Sequence, residues 1–362
     1  MVDKPQIFLY TIVYQKNADC IVYKKVTVKV SEPLHKNSAE KRRFMKITVI
    51  GCGRWGSLLA WYLSGIHHEV TLYGRETSGN MRKFLRERRN ELLYLPESIK
   101  LSCDLSCALK AEVMIVSINS QGLQQLMDEL KPLGLRDKII VLCMKGIEIS
   151  SGRRLSQIVE DNMDPSNAVA VWLGPGHVQE FYEGIPNCMV IDSENSEVKR
   201  KLVDEFSSSL IRFYYGQDLV GNEIGAAAKN VVGIAAGMLD GLGLSTLKGA
   251  LMSRGTREVA RLIKAVGGNE LSAYGLCHLG DYEATVFSKY SHNRQFGESF
   301  VKGEAYGKLA EGYYTVKALM NLGSRYCVDL PICTAVYRIL YEQADAGEEL
   351  NLLFTRSIKN EF

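Results

Sequence analysis

Nowhere in the sequence do about 18 uncharged apolar residues run together, the length a helix needs to cross a bilayer, so no membrane span is expected. The early apolar stretch IFLYTIV (7–13) lacks a basic flank before it and a small-residue cleavage site after it, which argues against a secretory signal. No two of the nine cysteines stand at C-x-x-C spacing, so neither a zinc ribbon nor a redox dithiol is indicated, and reduced packing thiols in a cytoplasmic setting are expected. An excess of one charge is also missing. The 44 Lys and Arg against 41 Asp and Glu leave a net charge of +3, too balanced for the long-range field of a dedicated nucleic-acid binder, so an anionic partner is expected to be a small molecule. Proline is sparse (8) beside glycine (32), and with 46% hydrophobic residues over 362 positions the chain has the makings of about two folded domains with sizeable cores.

The first 44 residues stand apart. IVYKKVTVKV (21–30) alternates as a strand does and is expected to pair with IFLYTIV, after which SEPLHKNSAEKRR (31–43) reads as a charged linker. Met45 then precedes a strand-like run, so residues 1–44 read either as an appendage or as sequence upstream of the true start.

From Lys46 short apolar runs alternate with helical periods: KITVI (46–50), VTLYG (70–74), VMIVS (113–117), IIVLC (139–143) and AVAVW (168–172). Strands buried on both faces and separated by helices predict a doubly wound parallel sheet over residues 45–219, a Rossmann-type α/β domain. Its first strand runs into G-C-G-R-W-G, with Gly51, Gly53 and Gly56 at G-x-G-x-x-G spacing before an apolar helix. Such glycines allow a tight turn, the approach of a pyrophosphate to the helix N-terminus, and close helix–strand packing, which predicts a dinucleotide site. At the end of the second strand Arg75 suits the 2′-phosphate of NADPH, whereas Glu76 one residue on suits the free 2′-hydroxyl of NADH; NADPH is the favoured reading. Later strand ends place Lys145 and the Gly174–Gly176 loop where a substrate would lie.

Helical periodicity then continues from about 220 to 362, predicting a second, all-helical domain. Between Glu223 and Asp240 only Lys229 and Asn230 interrupt an apolar, Gly- and Ala-rich helix, so the lysine is expected to be buried, its pKa lowered toward useful proton-transfer values, with Asn230 orienting it. The small residues also suit close helix contacts within or between subunits, leaving a homodimer open. Downstream, Asp281, Thr285 and the run Ser291, His292, Asn293 and Arg294 supply an acid and phosphate donors. No His or Cys pair at coordinating spacing accompanies His292, so no metal is expected.

These segments together resemble the bacterial-type NAD(P)-dependent glycerol-3-phosphate dehydrogenases. The likeness runs over 46–360 and is carried, in order, by G-C-G-R-W-G (51–56), M-K-G-I-E (144–148), L-G-P-G (173–176), G-A-A-A-K-N-V (225–231), S-R-G (253–255), L-G-D (279–281), S-H-N-R-Q-F-G (291–297), A-E-G-Y-Y-T-V-K (310–317) and D-L-P-I (329–332). The resemblance implies an active site between a Rossmann and a helical domain, reducing dihydroxyacetone phosphate to sn-glycerol 3-phosphate for glycerophospholipid synthesis. It implies Lys229 as proton donor and acceptor, with Lys145, Asn230, Asp281 and Thr285 around it. Gly174, Ser291, His292 and Asn293 would contact substrate, and the sequence reading adds Gly176 and Arg294 to them. Arg54, Trp55, Arg75, Lys145, Val178, His292, Leu309 and Glu311 would join the glycines on NADPH or NADH.

Two departures stand out. The family's S-G-P-[ST] is Leu173, Gly174, Pro175 and Gly176 here, which removes a hydroxyl, and its S-R-N-R has His292 in place of a permanent cation. A partly charged histidine would make phosphate affinity fall as pH rises unless Arg294 takes over. The changes leave open a related Rossmann dehydrogenase acting on another hydroxy or keto acid, and, in a different class, a non-catalytic NAD(P)-sensing protein.

Overall fold

The computed structural model describes residues 8–13, 22–27 and 44–355, and the chain divides into two units, residues 1–43 and 44–362. In the first unit β1 (Phe8–Val13) pairs antiparallel with β2 (Val22–Thr27), Phe8 opposite Thr27, as the alternation predicts. The linker expected over 31–43 lies outside the described residues.

The second unit holds an eight-stranded sheet built from β3 (Lys46–Ile50), β4 (Glu69–Tyr73), β5 (Lys100–Ser102), β6 (Val113–Val116), β7 (Ile139–Leu142), β8 (Ala168–Leu173), β9 (Asn187–Asp192) and β10 (Ile211–Tyr215). The spatial order is β10-β9-β8-β7-β6-β3-β4-β5. All five expected strands are present and mutually parallel, and β5, β9 and β10 extend the sheet at its edges. The sheet is not wholly parallel, because β9 runs antiparallel to β8. Only α5 (Val178–Tyr182) lies between them. A five-residue helix spans about 7.5 Å, too short to return along a six-residue strand of roughly 20 Å, so the chain turns back from the same end of the sheet.

Helices α1 (Arg54–Gly65), α2 (Gly79–Glu87), α3 (Leu123–Leu130), α4 (Leu155–Asn162) and α6 (Ser196–Phe206) complete this half. Period-two alternation divides the strands between two cores. Val113 and Ile115 pack with Leu58 and Leu59 of α1, while Met114 and Val116 pack with Leu123 and Leu126 of α3. With β4 on one side of β3 and β6 on the other, the strand order reverses at β3, and a crevice opens beyond the carboxyl ends of β3 and β6.

Next come α7 (Leu219–Gly241), α8 (Lys248–Val266), α9 (His292–Val301), α10 (Glu311–Arg325), α11 (Pro331–Tyr341) and α12 (Ala346–Thr355). From Gly221 to Leu239 every residue of α7 is buried, as its composition requires. Its glycines let α9 approach backbone to backbone: a Cβ on Gly237 would fall 1.9 Å from the Arg294 carbonyl oxygen, and one on Gly297 would fall 2.1 Å from that of Ile234. The close helix contacts expected of α7 are thus made within the chain. Glu223 ties α7 to α4 by accepting from the Arg154 guanidinium (2.6 Å), the Ser156 N–H (2.9 Å) and the Ser156 hydroxyl (2.6 Å). Among the described residues no helix is long and apolar enough to cross a membrane, and none of the eight cysteines is in a disulfide.

Candidate active site

At the end of β3 the three glycines do three different things. Gly51 sits at φ +111°, where a Cβ would fall 2.2 Å from the Ser117 carbonyl oxygen at the end of β6, so the turn presses against the neighbouring strand. A Cβ on Gly56 would fall 1.9 Å from the Gly51 carbonyl oxygen, which lets α1 start hard against the strand. Gly53, in contrast, has no heavy atom within 4 Å of where its Cβ would be. With no acidic residue in its first turn and no side-chain cap, α1 offers its N–H groups to an anion beside that open space. The turn fits the pyrophosphate of a dinucleotide. Trp55 packs behind it against Phe181, ring centroids 6.0 Å apart, and Val178 is buried nearby in α5. At the end of β4 Arg75 is half exposed and bonds Glu129 of α3 at 2.8 Å.

A second constellation forms where α7 meets the loops of both halves. The buried Asp281 carboxylate shares one oxygen between two ammonium groups, Lys145 at 2.6 Å and Lys229 at 3.0 Å. Lys229 also donates to the Thr285 hydroxyl (2.7 Å), and Lys145 to the Gly174 carbonyl oxygen (2.7 Å). Asp281 closes a short 3₁₀ turn, Leu279–Asp281, and Thr285 lies in a π-helical turn, Glu283–Phe287, an irregularity frequent at functional sites. Burial pushes the Lys229 pKa down to about 8, with Asp281 pulling it up and Lys145 pushing it further down. Glu311, at the start of α10, is pushed up to about 7 by burial, opposed by the Ser120 N–H and the two lysines. Leu309, two residues earlier, is exposed. A cleft of about 350 Å³, which none of the cluster's side chains lines, is bordered by Arg54, Asn90, Gln179, Tyr290, His292 and Lys308.

Comparison with known proteins agrees with this arrangement. The family described as NAD-dependent glycerol-3-phosphate dehydrogenase matches in both its parts, the N-terminus over residues 46–199 and the C-terminus over 218–351. The chain belongs to this family. A glycerol-3-phosphate dehydrogenase (NAD(P)+) of Chlorobium phaeobacteroides is 34% identical over 333 residues, 88% of this chain and 99% of that one. The protein of the same name from Nitrosomonas eutropha is 36% identical over 325 residues, 86% and 98% of the two chains. Among solved structures, glycerol-3-phosphate dehydrogenase from Coxiella burnetii superposes with a TM-score of 0.81 at 28% identity, covering 86% of this chain and 99% of that one.

Several expectations read from the sequence need correction. Asn230 does not orient Lys229. Successive helical residues point about 100° apart, and the Asn230 amide turns instead to the Lys145 carbonyl oxygen (3.2 Å) while its own oxygen accepts from Asn293 (3.0 Å). Arg294 does not serve the phosphate site: its guanidinium bonds Asp240 (2.7 Å), Glu298 (3.0 Å) and the Ser288 carbonyl (3.2 Å). The cation that faces His292 is Arg54, whose guanidinium bonds the His292 Nε2 and reaches Gln179 at 3.4 Å. Burial, with Arg54 and Lys308 nearby, holds the His292 pKa down to about 4, below the range in which the sequence reading expected it to titrate. Ser291 caps α9, its hydroxyl oxygen accepting from the Arg294 N–H, and Asn293 accepts from the Gly312 N–H (2.9 Å).

The altered glycine loop has a local reason. Gly176 lies at φ +142°, and a Cβ there would fall 2.2 Å from the Phe181 ring; Gly174 lies at φ +131° with the Met189 Cα 3.0 Å from its Cβ position. Sequence reasoning missed Gln179, Tyr290 and Lys308, which carry no motif, and missed His177, whose one signal was its place directly after a glycine-rich loop at a strand end.

Proposed function

We propose that this chain catalyses reversible hydride transfer between NAD(P)H and dihydroxyacetone phosphate, forming sn-glycerol 3-phosphate. The observation that carries the reading is a buried lysine, held by Asp281 and Thr285 at a pKa of about 8, in the same unit as an open glycine turn suited to a dinucleotide. The reduced nicotinamide, when bound, supplies the hydride to C2. Lys229 supplies the proton: as an ammonium it donates to the C2 oxygen as negative charge develops there, and as an amine it takes that proton back in the oxidation direction. Asp281 keeps the ammonium aimed and charged, and Thr285 accepts its second hydrogen bond. Lys145, fixed between Asp281 and the Gly174 carbonyl, places a second positive charge by the forming alkoxide. Asn230 holds the Lys145 backbone and, through Asn293, links it to the start of α9.

On the phosphate side we read Ser291, His292 and Asn293 at the start of α9 as the substrate contacts the family implies, with Arg54 supplying the permanent charge that His292 lacks. Such remote binding aligns C2 with the cofactor. Of the two cofactors NADPH is favoured, because an exposed Arg75–Glu129 pair is worth about 0–1 kcal/mol and exchanges readily for a 2′-phosphate. Residues 45–219 act as the cofactor domain and 220–362 as the catalytic one, in a cytoplasmic enzyme whose product serves glycerophospholipid synthesis. The test is loss of reduced-nicotinamide absorbance with dihydroxyacetone phosphate, run with NADPH and NADH in parallel. Turnover with either supports the reading, and the faster cofactor decides between the Arg75 and Glu76 assignments. Cofactor binding without turnover overturns it.

A further inference from the structure

Asp281 meets the two lysines through its side chain, and its backbone is held by a buried pair that none of the roles above uses. The Asp281 N–H donates to the His278 carbonyl oxygen (3.0 Å), closing the short turn that carries the acid. The His278 imidazole then bridges two groups. Its Nδ1 lies 2.8 Å from the Gly225 carbonyl oxygen in α7, and its Nε2 lies 2.7 Å from the Tyr282 hydroxyl. Asp281 is thus bracketed in sequence by two rings that meet edge-on, centroids 4.9 Å apart. Both side chains are wholly buried.

Chemistry fixes the direction of each bond. A carbonyl oxygen only accepts, so Nδ1 carries the proton, and the lone pair left on Nε2 accepts from the Tyr282 hydroxyl. Burial keeps the pair neutral, holding His278 down to about 4 and pushing the Tyr282 phenol up. Gly225 stands four residues before Lys229, so within α7 its carbonyl also accepts the Lys229 N–H. The turn carrying the acid is therefore pinned to the peptide group that positions the lysine backbone. Two glycines make room for this: a Cβ on Gly225 would fall 3.1 Å from the His278 Cβ, and one on Gly255 3.2 Å from the Tyr282 hydroxyl oxygen. An apolar pair of the same shape would fill the space without desolvating a ring nitrogen and a hydroxyl, so packing alone does not call for histidine and tyrosine. What the hydrogen bonds add is direction. Direction matters here because two ammonium groups compete for one Asp281 oxygen, with Lys145 at 2.6 Å and Lys229 at 3.0 Å.

We propose that His278 and Tyr282 are positioning residues for proton transfer, pinning the Asp281 turn to α7 so that the carboxylate stays on Lys229 against the pull of Lys145. The inference rests on the dehydrogenase reading above, and the test separates the two. Asp281, Lys145 and Glu311 are the charged groups acting on Lys229, and only the place of Asp281 changes when the pair is altered. The pH profile of kcat for reduction of dihydroxyacetone phosphate is measured for native protein, Tyr282→Phe, and the double variant His278→Leu with Tyr282→Phe, each also combined with Asp281→Asn. Tyr282→Phe is expected to lower kcat on the order of tenfold and to move the alkaline limb down by about half a pH unit or more, with KM and NADH affinity within about twofold. The double variant leaves no polar atom of the pair unpaired, so its melting temperature returns toward the native value while its limb stays displaced. It also carries the comparison if Tyr282→Phe fails to fold. With Asp281→Asn neither change moves the limb further, because the group they position is gone. A limb that stays at the native pH, that returns together with the melting temperature, or that shifts in full with Asp281→Asn overturns the assignment and leaves the dehydrogenase reading standing. No native turnover with either cofactor overturns both.

Discussion

The turn at 51–56 and the cluster around Lys229 solve different problems with different parts of the chain. The turn is six consecutive residues, and its work is done by backbone: the glycines matter for where they allow no side chain, and the N–H groups of α1 are the ligand donors. The cluster is made of side chains, with the Gly174 carbonyl oxygen as a backbone partner of Lys145. Its two lysines come from the loop after β7 and from α7, and the Asp281 that both share is 136 positions from Lys145. A backbone site tolerates changes that leave the chain path alone, whereas a side-chain site fails when one atom is removed.

Six substitutions would break or sharpen that contrast. The largest effect is expected from Lys229→Ala, which removes the proton donor; turnover should fall by about 10²–10⁴-fold while NADH affinity stays within about twofold, measured by steady-state kinetics and fluorescence titration. Near-normal turnover would end the general-acid assignment. The glycine turn should show the opposite pattern, divided between two positions. Gly53→Ala meets no protein atom and should leave the melting temperature unchanged while weakening cofactor binding roughly tenfold. Gly56→Ala, driven onto the Gly51 carbonyl, should cost about 1–3 kcal/mol of stability in thermal unfolding.

Charge within the cluster gives the next effect. Reduction needs the Lys229 ammonium, so its rate should decline as pH rises through about 8, and oxidation should gain over the same range. Asp281 is the group that pulls this pKa up, and Asp281→Asn should therefore move the alkaline limb of the reduction profile to lower pH; a limb that stays in place would mean that Lys229 is not the titrating group. The smallest effect on kinetics belongs to Arg294. Arg294→Met breaks pairs to Asp240 and Glu298 away from the site, so KM for dihydroxyacetone phosphate should change less than about twofold. Arg54→Met, by comparison, should raise KM on the order of tenfold.

Much of this was legible in the chain, and the illegible parts share a cause. Five parallel strands, the glycine turn and the buried α7 follow from periodicity and composition, because burial on both faces of a sheet or on all sides of a helix leaves an apolar signature that local sequence carries. The reversal of β9 was not visible, since it depends on how far a five-residue helix reaches. Asn230 and Arg294 were placed by adjacency to motif residues, and both turned elsewhere: helical neighbours diverge, and Arg294 found two carboxylates within reach.

What the sequence by itself determined is the kind of chemistry, namely a dinucleotide turn, a costly lysine in an apolar helix, and acids and amides enough to serve it. Tertiary structure decided which partner each group has. Asp281 lies between two lysines, Arg54 faces His292, and the His177 Nε2 has no hydrogen-bond partner among the described residues, because hydrogen bonds and ion pairs act over about 3 Å and sequence position does not measure that distance.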